Sequence, residues 1–238
     1  MPDCRETRDF IETNIIIGYT VDWDRHQASV QEYIESRSDQ VDMYTCARVL
    51  KEAEDVVSAR RRVAKQAAKL VFQNFDGSVE PFEIDDVVGF VRKELGNNRD
   101  PVVDHVIQHI KDNRREYTGL TKVESETELQ RVVRKIDTDF NGAIAVVDSI
   151  RKRNCSELDC TIFPTSFPDL SGYGVFDNVD AILSGLDRDI LMDSYHLTQE
   201  NEIETIYFVT MDGDLIGNES SLECLLDSID IESPDSLS

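Results

Sequence analysis

The run Ile206-Tyr-Phe-Val-Thr-Met-Asp212-Gly-Asp214 is an apolar stretch, too short for a helix, that ends abruptly in acids. A continuous apolar run of this length reads as a strand covered on both faces, which is the pattern of a parallel sheet. The N-terminus holds a counterpart in Asp9-Phe-Ile-Glu12-Thr-Asn14-Ile-Ile-Ile-Gly18, a short apolar strand running into a helix start. Thr13 and Asn14 are the candidate caps of that helix. Strands alternating with helices at both ends of the chain predict an α/β fold of three layers, α/β/α, around a central parallel sheet. Its acids would gather at the carboxyl edge, where open α/β sheets bind their ligands, and carboxylates so grouped suit a hard divalent cation.

Between these ends the pattern is mostly helical. Asp24 to Ser38 reads as a helix, Asp42 to Thr45 as a short strand or turn, and Thr45 as the N-cap of a long helix running towards Leu70. Helices are expected over Phe82 to Leu95, Pro101 to Arg114 and Ser125 to Arg153, separated by Asn, Asp and Gly breaks. Residues 75–155 thus read as a helical insertion into a domain made of 1–74 and 156–230. Further on, Thr161 to Pro164 reads as a strand, Asn178 to Leu197 as one or two helices, Thr205 to Thr210 as a strand and Ser220 to Leu226 as a short helix. The last residues, 231–238, read as a flexible tail that frays.

Composition narrows the setting. With 48 acidic against 25 basic residues the formal net charge is -23, which ordinarily argues against a nucleic-acid partner. Only 8 of the basic residues are Lys and 17 are Arg. A Lys-poor, strongly acidic surface suits a protein kept soluble in concentrated salt, and a halophilic setting is expected. There the Debye length falls to about 3 Å, so repulsion of a polyanion is largely screened. The five cysteines form no Cys-x-x-Cys pair and read as reduced thiols. No apolar stretch approaches a membrane span and no signal-peptide pattern opens the chain, so the expectation is a cytoplasmic protein with no membrane partner.

Four segments then line up: Phe10-Ile-Glu12-Thr-Asn14, Thr45-x3-Val49-x2-Glu52, Asp189-Ile-Leu-Met-Asp193 and Phe208-Val-Thr-x-Asp212-x-Asp214. Together they resemble the PIN-domain family of metal-dependent ribonucleases, over about the first and last 60 residues, as a haloarchaeal-type member would. The family pattern is an acid-Thr-Asn opening, a Glu on a helix, an Asp starting a later helix and a Thr-x-Asp after the last core strand. Carried over by position, the resemblance implies Glu12, Glu52, Asp189 and Asp212 as the catalytic acids. Glu12, Asp189, Asp212, Asp193 and Asp214 are the candidate ligands of Mg²⁺ or Mn²⁺, and Thr13, Asn14 and Thr210 the residues that position ligands or the scissile phosphate. One departure stands out: Glu12 occupies a position that is usually Asp, and octahedral Mg²⁺ tolerates a misplaced ligand poorly. Asp9 falls on the opposite face of the strand from Glu12 and does not substitute for it.

The resemblance implies an endoribonuclease that hydrolyses RNA with carboxylate-held divalent ions, needing neither a nucleophilic side chain nor a His base. Two rival readings stand beside it: a PIN-fold interaction module whose site has weakened, with Glu12 as its best support, and a structure-specific DNA nuclease. A protein partner, such as an antitoxin, and a homodimer are further expectations. Taken singly, Asp187, Asp193 and Asp214 read as solvated surface in so acidic a chain, and Asp193 competes with Asp189 for the third position. His105 and His109 read as a surface pair rather than a zinc site, and Cys155 and Cys160 as unlinked thiols. Arg60-Arg61-Arg62 and Arg151-Lys152-Arg153 read equally as a grip on an RNA backbone or as counter-charges for neighbouring acids. Trp23, Tyr44 and Tyr195 read as core aromatics before they read as base-stacking platforms.

Overall fold

In the computed structural model, residues 8–21, 24, 26–73, 93–95, 122–153, 155, 158, 160–163, 170–201 and 203–237 are described. Strand β1 (Arg8–Ile11) leads into α1 (Thr13–Thr20) and α2 (Gln27–Arg37), then β2 (Asp42–Cys46) and the long α3 (Ala47–Gln73). After these come α4 (Lys122–Arg151), β3 (Cys160–Phe163), a 3₁₀ turn (Leu170–Gly172), α5 (Phe176–Asp180) and α6 (Gly185–Asn201). The chain closes with β4 (Ile206–Val209), α7 (Gly213–Gly217), α8 (Glu219–Leu225), β5 (Ile229–Glu232) and α9 (Pro234–Leu237).

All five strands run parallel in the order β3-β2-β1-β4-β5. Consecutive residues Asp9, Phe10 and Ile11 of β1 are each fully buried, so both faces of the central strand are covered. Phe10 lies opposite Phe208 of β4, and their rings stack with centroids 5.5 Å apart. Helix α6 packs against β2 and β4, α7 and α8 against β5, and α9 against α2. Helices α1 and α2 approach so closely that a Cβ on Gly18 would lie 2.8 Å from a Val30 methyl. That contact explains why Gly interrupts the apolar run of α1. The order of strands reverses at β1: the chain first builds outward through β2 and β3, then returns to lay β4 on the other side. The carboxyl ends of β1 and β4 therefore flank the crevice where such sheets bind ligands.

Several boundaries differ from the sequence reading. The tail expected at 231–238 instead supplies the last two residues of β5, whose register with β4 runs from Ile206 opposite Ile229 to Val209 opposite Glu232, and then α9. Its alternation of Ile and acid is masked in the sequence by the acid-rich surroundings. The cap of α1 is Glu12, whose side chain accepts from the Asn14 N–H, rather than Thr13 or Asn14. Thr45 belongs to β2, buried, and its hydroxyl donates to the Ile11 carbonyl at 3.0 Å. At the start of α3 the Cys46 sulfur meets the Arg48 and Val49 N–H groups instead.

By its contacts the chain divides into two compact units, one of Met1–Asp22, His26–Glu54 and Ala145–Ser238, the other of Trp23–Arg25 and Asp55–Ile144. The sheet and all four motifs belong to the first. In the second, Arg61 and Lys65 of α3 both pair with Asp137 of α4, above buried Ala64, Ala68 and Ile136. Most of the helices expected over Phe82 to Leu95 and Pro101 to Arg114 lie outside the described residues, as do His105, His109 and Trp23.

Candidate functional site

Glu12 and Asp212 lie beyond the carboxyl ends of adjacent strands at the switch point. Glu12 immediately follows β1, Asp212 stands three residues past the end of β4, and each caps the helix that comes next. One oxygen of Glu12, Oε2, accepts from the Asn14 N–H at 3.2 Å. One oxygen of Asp212, Oδ1, accepts from the Asp214 and Leu215 N–H groups at 2.7 and 3.2 Å. Capping orphan amides fixes each carboxylate in orientation while leaving its second oxygen out of the cap.

A latch of neutral side chains joins the two ends. Asn14 Oδ1 accepts from the Met211 N–H at 2.8 Å, and its amide donates to Thr210 Oγ1 at 3.3 Å. Thr210 Oγ1 in turn donates to Glu12 Oε2 at 3.2 Å and accepts from the Asp212 N–H at 2.9 Å. Asn14 and Thr210 thus orient the acids themselves. Thr13 reaches the other way, its hydroxyl donating to the Glu52 carboxylate on α3.

The electrostatics separate the acids into two groups. Glu12 is only 5% exposed, and burial first, then the neighbouring Glu52 and Asp212 charges, push its carboxyl up to about 8. Glu52 is raised by burial and then by Asp187 and Asp212, and Asp187 is raised by burial and then by Asp212 and Asp214. Among the described residues no cation pairs with Glu12, Glu52, Asp187 or Asp212. Burial first, and then repulsion from neighbouring carboxylates, raises the proton affinity of Glu12, Glu52 and Asp187.

Asp189 and Asp193 belong to the second group. Both are bound by Arg48, through Nη1 to Asp189 Oδ2 at 3.0 Å and Nε to Asp193 Oδ2 at 3.0 Å. Arg188 also donates twice to Asp189 Oδ1. Asp193 is buried, which raises its carboxyl despite Arg48, and the Cys46 thiol donates to it at 3.5 Å. The α6 acid that the cluster feels is therefore Asp187, two positions before Asp189. The physical reason is where the helix begins: Gly185, with φ +67°, starts α6 and puts Asp187 in its first turn. Ser184-Gly185 was the sequence signal, a break inside Asn178 to Leu197, the stretch read as one or two helices. Asp214 lies exposed in the first turn of α7, felt by Asp187.

The basic clusters are largely committed. Arg60 pairs with Asp24, Arg61 with Asp137, and Arg151 with both Asp148 and Glu54. Tyr195 packs edge-on against Tyr173 with centroids 5.5 Å apart. Among the described residues, Cys46, Cys155, Cys160 and Cys224 form no disulfide.

Among the described residues, no three His, Cys, Asp or Glu side chains are drawn together tightly enough to cage a metal ion. Carboxylates are the donor type that Mg²⁺ and Mn²⁺ take, and such ions are commonly held by one or two of them with water and phosphate completing the shell rather than by an all-protein cage. Among the described residues, no helix is long and apolar enough to cross a membrane. No family model, curated protein or solved structure matches the chain.

Proposed function

We propose that this chain is a PIN-like nuclease that hydrolyses RNA phosphodiester bonds with a divalent ion held at the carboxyl ends of β1 and β4. The observation that carries this reading is the pair of helix-capping acids, Glu12 and Asp212, at the switch point of a parallel sheet, with no cation paired to them among the described residues. Glu12 and Asp212 would hold Mg²⁺ or Mn²⁺ through the oxygens not spent on capping, with Glu52 and Asp187 beside them. Such an ion acidifies a bound water and offsets charge on the leaving oxygen. Glu52, tied to Thr13 and with its proton affinity raised, is the candidate acceptor of the proton that the attacking water loses. The Asn14–Thr210 latch keeps Glu12 and Asp212 in register, so that little reorganisation is needed when substrate arrives. The reading departs from the motif alignment in one respect: Asp187 takes the third place, and Asp189 serves as a partner of Arg48.

The test is cleavage of labelled single-stranded RNA, and of a DNA strand of the same sequence, with Mn²⁺ in high salt. Asp212→Asn should lower the rate by about a hundredfold or more while the fold survives, since removing a group that stabilises charge in the transition state costs on this order. Glu12→Asp should retain or raise activity. If wild type and Glu12→Asp are both folded, bind no Mn²⁺ and cut nothing, the catalytic reading falls and a PIN-fold interaction module replaces it. Preferential cutting of the DNA strand would move the substrate class.

A further inference from the structure

Arg48 is bound to both α6 acids that lie outside the cluster, and its place on α3 gives that contact a consequence for the site. The guanidinium forks across one turn of α6, meeting Asp189 Oδ2 and Asp193 Oδ2 at 3.0 Å each. The fork is anchored at its deep end, where the Asp193 side chain is 1% exposed and also takes the Cys46 thiol. At its outer end the second Asp189 oxygen is held by Arg188, whose guanidinium lies 4.8 Å above the Phe176 ring and pairs with Asp180. Four residues after Arg48, one turn along α3, stands Glu52, and two residues before Asp189 on α6 stands Asp187. A single planar group thus joins the two helices that carry the two lateral acids of the cluster, acids close enough to feel one another.

We propose that Arg48 is a positioning residue that sets the separation of Glu52 and Asp187, and so the cluster's fit to a divalent ion. The inference rests on the nuclease reading and deepens it. Two features make the fork suited to this. A guanidinium offers two parallel donors in a fixed plane, whereas an ammonium is a point charge that cannot hold two carboxylates at defined angles. Residues that hold a site must themselves be held, and Asp193, buried and bonded to Cys46, fixes the inner end of the fork. Nothing in this requires Arg48 to touch substrate.

The experiment measures Mn²⁺ affinity of the full chain by electron paramagnetic resonance, alongside thermal melting and RNA cleavage. The variants are Arg48→Lys, Asp187→Asn, their combination and Asp212→Asn. Arg48→Lys should melt within a few degrees of wild type, weaken Mn²⁺ about tenfold and lower kcat with KM for RNA unchanged. In the Asp187→Asn background the same Lys change should have lost most of its effect, because the two act through one arrangement. If Arg48→Lys fails to fold, Asp189→Asn breaks only the outer arm of the fork and should still weaken Mn²⁺ several-fold. Unchanged Mn²⁺ affinity in a folded Arg48→Lys, or effects that simply add with Asp187→Asn, overturns the proposal while leaving the nuclease reading in place. A rise in KM alone also overturns it, making Arg48 a substrate contact. Wild type that binds no Mn²⁺, with Asp212→Asn indistinguishable from it, removes the nuclease reading and this inference together.

Discussion

Two acids three residues apart, at the start and just past the end of the same strand, are treated in opposite ways. Asp9 is fully buried and receives Arg37 on both oxygens, at 2.8 and 2.9 Å, with the Tyr33 hydroxyl adding a third bond at 2.7 Å. Glu12, nearly as buried, receives only neutral donors on one oxygen and faces further carboxylates. The first arrangement is how a fold accommodates a buried charge for structural ends: full hydrogen bonding and a bidentate cation. The second leaves repulsion in place. Because the two acids are almost equally buried, the difference is not a matter of local burial, and it is the contrast on which the proposed cation site beyond β1 rests.

Removing the cation from the satisfied end should have the largest effect on stability. Arg37→Met leaves Asp9 buried and uncompensated, and should cost about 3–5 kcal/mol in urea unfolding, the usual consequence of orphaning one partner of a buried pair. The raised proton affinity of Tyr33, driven by burial and then by Asp9, leaves it a neutral donor that cannot replace Arg37. A loss below about 1 kcal/mol would mean that Asp9 is not held in this way.

At the unsatisfied end the prediction concerns pH. In the unfolded chain Glu12 ionises near 4.5, whereas in the folded chain it keeps its proton to about 8. Between those values the unfolded state binds fewer protons, so stability falls as pH rises. The contribution is present in full below 4.5 and is lost through about 8, with a span of a few kcal/mol. Glu12→Gln should flatten that part of the curve. Added Mn²⁺ should reverse it, because the ion competes with the proton and binds more tightly as pH rises. A metal-free stability that rises between pH 5 and 8 to the same extent in wild type and Glu12→Gln would remove the contrast with Asp9.

The strands at both ends of the chain were legible because buried parallel strands are continuous apolar runs, and Phe10 and Phe208 sit in just such runs. Acids at the carboxyl ends of β1 and β4 were legible as Glu12 and Asp212 because sequence position fixes them relative to the strand. What could not be read was which helical acid turns towards them. Asp187, Asp189 and Asp193 share one helix, and the choice among them depends on where Gly185 starts it and on Arg48, distant in sequence, claiming two of the three. The role of Asp9 was half legible: alternation put it on the face away from Glu12, but its partners Tyr33 and Arg37 come from α2, whose acids and bases all look alike in a charged sequence. Strand β5 was hidden by its alternating acids, since Asp230 and Glu232 read as tail composition rather than as the open positions of an edge strand.

The division on α6 gives the next comparison. Asp187→Asn removes a member of the cluster and should weaken Mn²⁺ by tenfold or more, about 1.4 kcal/mol. Asp189→Asn alters only what supports it and should cost several-fold. Titration of Mn²⁺ into each variant decides the order, and the reverse ranking would return Asp189 to the third position.

The smallest effect is expected where charge is neither buried nor crowded. On α4 the Lys135 and Asp139 side chains pair at 2.9 Å with 54% and 29% exposure, one turn apart. With Lys preceding the acid, the pair also has the less favourable orientation on a helix. Lys135→Gln should shift unfolding by no more than about 0.5 kcal/mol in dilute buffer, and by less in molar KCl, where the Debye length is about 3 Å. The same salt series tests the whole acidic surface. A chain with a formal net charge of -23 repels itself when unscreened, so the wild type should melt at higher temperature in molar KCl than in dilute buffer. Salt can screen the exposed acids in this way, but it cannot reach Asp9 behind Arg37. Arg37→Met should therefore keep its full cost at every salt concentration, whereas a cost that vanished in molar KCl would show Asp9 to be exposed to solvent and its contrast with Glu12 to be one of degree.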